Sequence, residues 1–325
     1  MAADLDAQIE AFLRNATAQR KTEDRAIRQA LQSLAPVLTS IRRRVEDSGI
    51  LETTIGRQQI LRSLASAIAR QVQLDWGAPT LAALQESLTP WIESQQQFAR
   101  KMVETAGGTL TSPGAAAAAK PPAQIINGAI VNGKPLAENL TVSLPALVAD
   151  KVQRLAIMGG EVFAEYDSAV VRIVNNSVEA TIRSGVHSSG SFAQQMIYAI
   201  EADPAWADSR GMIWTAVLDS RVCPICVGMD GTRLKLGEPG RYWDGAQKID
   251  PHLNCRCYLL PFIARTKGSE RYAEGDQGLE QISGKVTDWI KANPDTTRSI
   301  FGKKLGQRLL DGDLTLDRAI KEWAT

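Results

Sequence analysis

The sequence predicts an α+β protein that is mostly helical and carries a small β-rich unit in its C-terminal half. Of its 325 residues, 44% are hydrophobic but only 6% are aromatic, so a packed core is available without the rings that typically fill a β-sandwich. Apolar residues recur at helical spacing along most of the chain, which favours helices. All four cysteines and one of the two histidines lie between Cys223 and Cys257, among short strand-like runs. The length predicts two or three folded units.

Charge and hydropathy exclude several classes of function. Lys and Arg total 37 against 36 Asp and Glu, a net charge of +1, so the chain as a whole has no bias towards nucleic acid or an anionic membrane. The acidic, polar start does not predict a secretory signal. No run of about 18 apolar residues occurs, so we expect no membrane span. Four cysteines in a chain of this size are typical of a reducing compartment.

Residues 1–105 predict an N-terminal helical region, either an antiparallel bundle or a set of long arms. Apolar residues recur every three or four positions throughout it. Thr22 is expected to cap a helix, and Pro36 is expected to break it or to start the next one. The basic run 42–44 is followed at once by acidic residues, which indicates a solvated helix face.

Residues 106–145 predict a linker or extended arm, because Gly, Pro and Ala predominate and the apolar period is lost. Two Asn-Gly pairs flank residues 129–131, a pattern typical of a small hairpin or of an extended arm. Helices are expected again over residues 146–206. Within them, the Ser/Gly-rich stretch 183–191 predicts a flexible segment in which His187 is an exposed loop residue.

Residues 207–265 predict the β-rich unit, and a Cys-x-x-Cys pair follows its first strand. The apolar run 213–218 leads to Cys223 and Cys226. Two thiolates separated by two residues can face one point when the backbone between them turns back, and Pro224 fixes one of the dihedrals. This pair is therefore half of a tetrahedral metal site.

The second half of the site precedes another apolar strand. His252, Cys255 and Cys257 bring the ligand-capable side chains to five, one more than a tetrahedral site needs. We favour Cys223, Cys226, His252 and Cys255, because His-x-x-Cys closes a turn as Cys-x-x-Cys does; Cys257 is the alternative fourth ligand. Thiolates with one imidazole suit zinc, and four protein ligands leave no open position, so the predicted zinc is structural.

The same residues also fit, less completely, three alternative kinds of site. A thioredoxin-like redox site accounts for the Cys-x-x-Cys pair but not for the ligand-type residues that follow it. An HNH-like nuclease uses several histidines, whereas this segment has one. Two structural disulfides would require an oxidising environment.

The order of these motifs resembles the phage Mu F-like head morphogenesis family, also called minor head or minor capsid proteins. The segments that carry the resemblance are LDSRVCPIC (218–226), MDG (229–231), DPHLNCRC (250–257) and, in the C-terminal helical end (266–325), VTDWI (286–290), FG (301–302) and LLDGDLTL (309–316). The resemblance covers the chain from about residue 145 onwards, and groups residues 146–325 as one Mu F-like domain. Residues 1–144 lie outside it.

The resemblance implies a non-enzymatic virion component, present in few copies, that acts in head morphogenesis at the portal or in the capsid interior. Such a protein is made in the bacterial cytoplasm. Its expected partners are the portal protein and/or the major capsid protein, with packaged DNA and a second copy of the chain as further candidates and no membrane.

Four polar residues next to the predicted ligands are expected to fix the loops around the metal: Asp219, Arg221, Asn254 and Arg256. Two other functions are alternatives, a zinc-dependent nucleic-acid-processing enzyme and a zinc-ribbon-like DNA-binding module. Residues 207–265 hold eight basic and six acidic residues, which does not predict a DNA-binding footprint.

Overall fold

The computed structural model describes residues 2–51, 57–105, 108–110, 121–158, 160–197, 212–234, 243–244, 247–248, 257–261, 271–282 and 285–323. Helix accounts for 80% of the described residues, and the strands form small sheets. The mostly helical class predicted from the sequence is thereby confirmed. None of the described helices has the combined length and apolar character that crossing a bilayer requires.

The N-terminal part consists of helices around one small hairpin. The helices are α1 (Ala2–Asp47), α2 (Arg57–Val72), α3 (Ala78–Thr105), α4 (Pro122–Gly128), α5 (Leu136–Glu138), α6 (Leu144–Met158), α7 (Gly160–Phe163) and α8 (Arg172–Met196). The hairpin is formed by β1 (Ile130–Val131) and β2 (Lys134–Pro135). π-Helical turns join α2 to α3 (Gln73–Gly77), join α5 to α6 (Asn139–Ser143) and lead into α8 (Asp167–Val171).

Helix α1 is continuous, so the predicted cap at Thr22 and break at Pro36 are wrong. The Thr22 hydroxyl donates to the Ala18 carbonyl one turn back at 2.9 Å, which is a bond made within a helix. A proline inside a helix costs about 3 kcal/mol. Leu34 and Leu38, on either side of it, are 0% and 2% exposed, and burying each contributes about 1.5–3 kcal/mol. Packing therefore carries the helix through Pro36.

Residues 121–145, which the sequence assigned to a linker, fold into α4, the hairpin and α5 and join the core. Asn132 and Gly133 have φ values of +52° and +75°, the left-handed pair that a type I′ hairpin turn requires. The hairpin is thus the alternative that forms. The Asn139 side-chain amide, buried beside it, donates to the Val131 carbonyl at 3.0 Å and ties the hairpin to the next helix. Most of the remaining predicted linker lies outside the described residues.

The first hydrophobic core joins α1, α2 and α3 to α6 and α8. Its buried side chains run from Ala26 to Met196. Trp76 is 1% exposed and its indole N–H donates to a carbonyl of α1 at 2.9 Å, while the hydroxyl of the buried Tyr166 donates to another at 3.1 Å. Helices α6 and α8 therefore share a core with the N-terminal helices, although the sequence suggested a division near residue 145.

Helix α8 runs straight through the Ser/Gly-rich stretch that the sequence predicted to be a loop. Every residue from Ser184 to Ile197 is buried. A Cβ placed on Gly190 would stand 3.0 Å from the indole nitrogen of Trp91, and one on Gly185 would stand 2.7 Å from the Leu136 methyls. The small residues therefore allow neighbouring helices to approach closely, which offsets the conformational cost of glycine in a helix.

The C-terminal part combines short strands with short helices. The strands are β3 (Met212–Thr215), β4 (Arg233–Leu234), β5 (Trp243–Asp244), β6 (Gln247–Lys248), β7 (Tyr258–Pro261), β8 (Arg271–Gly275) and β9 (Gly278–Ile282). The helices are α9 (Pro224–Met229), α10 (Val286–Ala292), α11 (Pro294–Phe301), α12 (Lys303–Leu310) and α13 (Leu316–Trp323). β3 lies between β4 and β7 in an antiparallel sheet. A second core has buried side chains from Trp214 to Ala319, joined by Ala99 and Val103 of α3 and by Ile197.

Candidate metal centre

The pairing of β3 with β7 brings the Cys-x-x-Cys segment and Cys257 to the same end of a sheet. The two strands are antiparallel, and Thr215 lies opposite Tyr258. The chain leaves β3 at Thr215 on its way to the Cys-x-x-Cys pair, and Cys257 immediately precedes β7. Four predicted site residues lie outside the described residues: His252, Asn254, Cys255 and Arg256.

Cys223 and Cys226 lie on one turn at the start of α9. Cys223 is the extended residue before the helix, and Pro224 occupies the first turn, where its missing N–H costs no hydrogen bond. The backbone N–H of Cys226 donates to the Cys223 sulfur at 3.3 Å. The thiolate is the form of cysteine that binds metals. Cys226 is 1% exposed and Cys223 is partly exposed.

Asp219 stabilises the loop between β3 and α9. It is only 4% exposed, and its Oδ1 accepts the backbone N–H of Arg221 at 2.9 Å. Its backbone carbonyl accepts the N–H of Val222 at 3.1 Å. The Arg221 guanidinium lies 3.9 Å from the second carboxylate oxygen, but its side chain is 66% exposed, so this ion pair contributes little. Asp219 holds the turn that precedes Cys223.

The Met-Asp-Gly motif forms the turn that follows α9. Asp230 has φ −58° and ψ 129° and Gly231 has φ +78°, the angles of a type II turn, whose third residue is usually glycine. The turn is closed by the Thr232 N–H, which donates to the Met229 carbonyl at 2.9 Å. The Asp230 carboxylate accepts the backbone N–H of Ala216 at 3.0 Å. This motif therefore fastens the end of α9 to the chain just after β3.

Cys257 is connected to the helical bundle through His187. The sequence predicted His187 to be exposed in a loop; it is instead 1% exposed on α8. Its Nδ1 lies 2.7 Å from the amide nitrogen of Gln19, which also donates to Glu23 at 2.7 Å. Because that nitrogen can only donate, Nδ1 accepts and Nε2 carries the proton. Nε2 therefore donates to the Cys257 carbonyl at 2.9 Å.

The same hydrogen-bonded chain extends to a buried charge on α1. Glu23 is 3% exposed, and its carboxylate accepts from Arg183 of α8 at 3.2 Å, so the buried charge is paired. This series of hydrogen bonds runs from α1 through α8 to Cys257, the residue before β7. Sequence reasoning missed His187 because its partners lie 168 and 70 positions away and no local motif marks it.

The C-terminal helices pack directly on the Cys-x-x-Cys turn. Gly228 of α9 has no Cβ, and the Ile320 side chain of α13 lies against the position that a Cβ would take. On the other side, the Ser299 hydroxyl of α11 donates to the Ser220 carbonyl at 3.3 Å. The turn is thus held between the sheet and the C-terminal helices.

Cys223 and Cys226 are two side chains of metal-ligand type on one turn. Among the described residues, no group of three or more His, Cys, Asp and Glu side chains could hold a metal ion. Cys257 therefore does not complete a three-cysteine group with Cys223 and Cys226. Its side chain is 2% exposed and belongs to the second core. The donor pair on α9 suits zinc, and any further ligands must come from outside the described residues.

Comparison of the chain with protein-family models, with curated proteins and with solved structures finds no match. The resemblance to minor head proteins is thus carried by its motif residues alone. Their arrangement in the structure provides the physical basis for a functional proposal.

Proposed function

We propose that the chain is a non-enzymatic bacteriophage minor head protein, a low-copy virion component that acts in head morphogenesis at the portal or in the capsid interior. Its partners are the portal protein and/or the major capsid protein. A structural zinc ion, held by Cys223, Cys226, His252 and Cys255, stabilises the C-terminal unit.

One observation carries this proposal: the separate segments of the resemblance meet in a single core. Leu218 and Cys226 from the first segment, Cys257 from the next, and Trp289 and Phe301 from the C-terminal end are all buried in it. If the segments of the resemblance belong to one family domain, they are expected to pack together although they lie far apart in sequence. Their convergence supports a family domain rather than a set of coincidental matches.

The Cys-x-x-Cys turn supports the zinc. Cys223 and Cys226 present two sulfur donors on one turn, one of them bonded to a backbone N–H. Bound zinc would link this turn to the segment before β7 and contribute directly to folding. Four protein ligands leave no position for water or substrate, in keeping with a structural role. The apolar surroundings of Cys257 favour Cys255 as the fourth ligand.

Metal analysis of serine variants tests the ligand set. Purified wild-type protein is expected to contain one zinc ion per chain by mass spectrometry. Serine at Cys223, Cys226 or Cys255 is expected to abolish zinc retention, because each removes a thiolate. Cys257→Ser is the matched control and is expected to keep its zinc. Loss of zinc from Cys257→Ser with retention in Cys255→Ser would assign the fourth position to Cys257.

Fractionation of phage particles tests the biological role. The chain is expected in purified particles, in the portal or head-interior fraction, at far fewer copies than the major capsid protein. Its absence from particles would contradict the minor head assignment. Zinc-dependent nuclease activity of the folded protein, lost in Cys223→Ser, would contradict the non-enzymatic role.

A further inference from the structure

On α1, every exposed charged residue between positions 14 and 44 is basic. These residues are Arg14, Arg20, Lys21, Arg25, Arg28, Arg43 and Arg44. Of the two acidic residues in this stretch, Glu23 is buried with its carboxylate 3.2 Å from Arg183 of α8, and Asp24, a partly buried residue whose side chain is 47% exposed, lies 3.8 Å from the same guanidinium. Folding has thus separated charges that the sequence interleaves. A protein of net charge +1 presents one strongly positive helix surface.

Four of these cations lie in a line. Arg14, Lys21, Arg25 and Arg28 are spaced so that, at 3.6 residues per turn and 1.5 Å per residue, they occupy a sector of about 60° over about 21 Å. We call this set the α1 basic face. Within the described part of the chain, Lys21, Arg25 and Arg28 make no ion pair or side-chain hydrogen bond. Their charges are therefore available to an anionic partner.

We propose that the α1 basic face binds the phosphate backbone of duplex nucleic acid. A line of cations along a helix complements the regularly repeated charges of a duplex, which carries one phosphate per about 1.7 Å of its axis. Residues 14–44 contain no aromatic side chain, whereas proteins that bind single strands stack bases on aromatic rings. The contact is therefore to backbone phosphates, without sequence recognition.

This surface is independent of the zinc site. It lies on α1, outside the part of the chain that resembles minor head proteins, and it shares no residue with the metal centre. If the minor head function with its zinc site is disproved, the proposal for the α1 basic face is unaffected, and the reverse is also true. Composition did not reveal it, because the count of charges includes acidic residues that the fold turns towards α8.

Fluorescence anisotropy with a mixed-sequence duplex DNA tests the proposal on the full chain. The wild type is expected to bind at 50 mM salt and to lose about fortyfold in affinity by 200 mM, the dependence for about three phosphate contacts. The variant Lys21→Gln, Arg25→Gln, Arg28→Gln is expected to bind at least about tenfold more weakly at 50 mM. Its salt slope is expected to fall by about three units.

A control triple variant separates this surface from net charge. Arg154→Gln, Arg172→Gln and Lys291→Gln remove three exposed cations from α6, α8 and α10. This variant is expected to bind DNA within about threefold of wild type, because these cations are not aligned on one face. All the replaced side chains are exposed, so circular dichroism is expected to show wild-type helicity in both variants.

Three results would overturn the proposal. The first is equal loss of affinity in the two triple variants, and the second is no binding by the wild type at 50 mM salt. The third is binding of a polyglutamate probe without binding of duplex DNA, which would assign the α1 basic face to an acidic protein partner.

Discussion

The two hydrophobic cores of the molecule are built from elements of very different length. The first draws on helices as long as 46 residues, which present continuous apolar faces. Apart from Ala99 and Val103 at the end of α3, and Ile197, the second is assembled from strands of two to five residues and helices of six to eight. Short elements bury little apolar area each, and small units of this kind often depend on a bound metal. We therefore expect the first core to be stable through packing and the second through cross-links.

The largest expected effect on stability is that of truncating Trp76 in the first core. Trp76 is 1% exposed, and Trp76→Ala is expected to lower the free energy of unfolding by about 3–5 kcal/mol. Hydrogen exchange measured by mass spectrometry should show the loss in peptides of α1, α3 and α8. Leu74→Ala is the matched control, because Leu74 lies in the same π-helical turn but is 57% exposed. Equal deprotection of the C-terminal unit would contradict two separately stabilised cores.

His187 joins the two parts of the molecule through its hydrogen bonds to Gln19 and to the Cys257 carbonyl. His187→Leu removes its hydrogen bonds to Gln19 and Cys257, at a cost of about 1–3 kcal/mol for each buried group affected. We expect faster amide exchange in β7 as well as in α8. His187→Gln is expected to restore protection, since its amide can accept at one atom and donate at the other.

Ser189→Ala is the matched control for His187, because the buried Ser189 hydroxyl donates only within its own helix, to the Val186 carbonyl at 3.0 Å. It should leave β7 unchanged. If His187→Leu and Ser189→Ala expose β7 equally, the link between α8 and Cys257 has no specific role.

Lowering the pH is expected to have a smaller effect on stability, confined to the C-terminal unit. Asp276, in the turn between β8 and β9, accepts the N–H groups of Asp295 and Thr296 at 2.8 and 2.6 Å. Partial burial alone would raise the pKa of Asp276, but these donors and Arg298 hold it below its ordinary value.

The sign of the acid effect follows from that lowered pKa. Stability is fully present above the ordinary carboxyl pKa, about 3.9, and is lost as the pH falls through the lower pKa of the folded state. Asp276→Ala is expected to cost about 1 kcal/mol at pH 7, as for a lost helix cap, and to reduce the acid sensitivity of α11. Thermal unfolding from pH 7 to pH 3 measures both; an unchanged acid profile would remove Asp276 as the cause.

Local signals in the sequence were sufficient for much of the C-terminal unit. The strands beginning near Ile213 and at Tyr258 and the turn at Asp230 and Gly231 follow from apolar runs and turn residues. In the N-terminal part, the two Asn-Gly pairs predicted the hairpin at residues 130–135 as one of two alternatives. These features depend on neighbours in sequence, which can be identified without knowing the fold.

Features that depend on packing between distant parts of the chain could not be predicted from neighbouring residues. Gly185 and Gly190 suggested flexibility but allow neighbouring helices to approach α8. Pro36 suggested a break, but burial on both sides keeps α1 intact. The link from His187 to Cys257 joins residues 70 positions apart, and the α1 basic face exists only because folding turns Glu23 and Asp24 towards Arg183.

Hydrogen exchange of the wild-type chain before and after zinc chelation measures whether the second core depends on a bound metal. We predict one zinc ion per chain and, on its removal, loss of amide protection in β3, β7 and α9, while α1, residues 78–98 of α3 and the first half of α8 stay protected. A chain that binds no zinc, or one whose C-terminal unit keeps its protection after chelation, would contradict the claim that the second core depends on a metal cross-link.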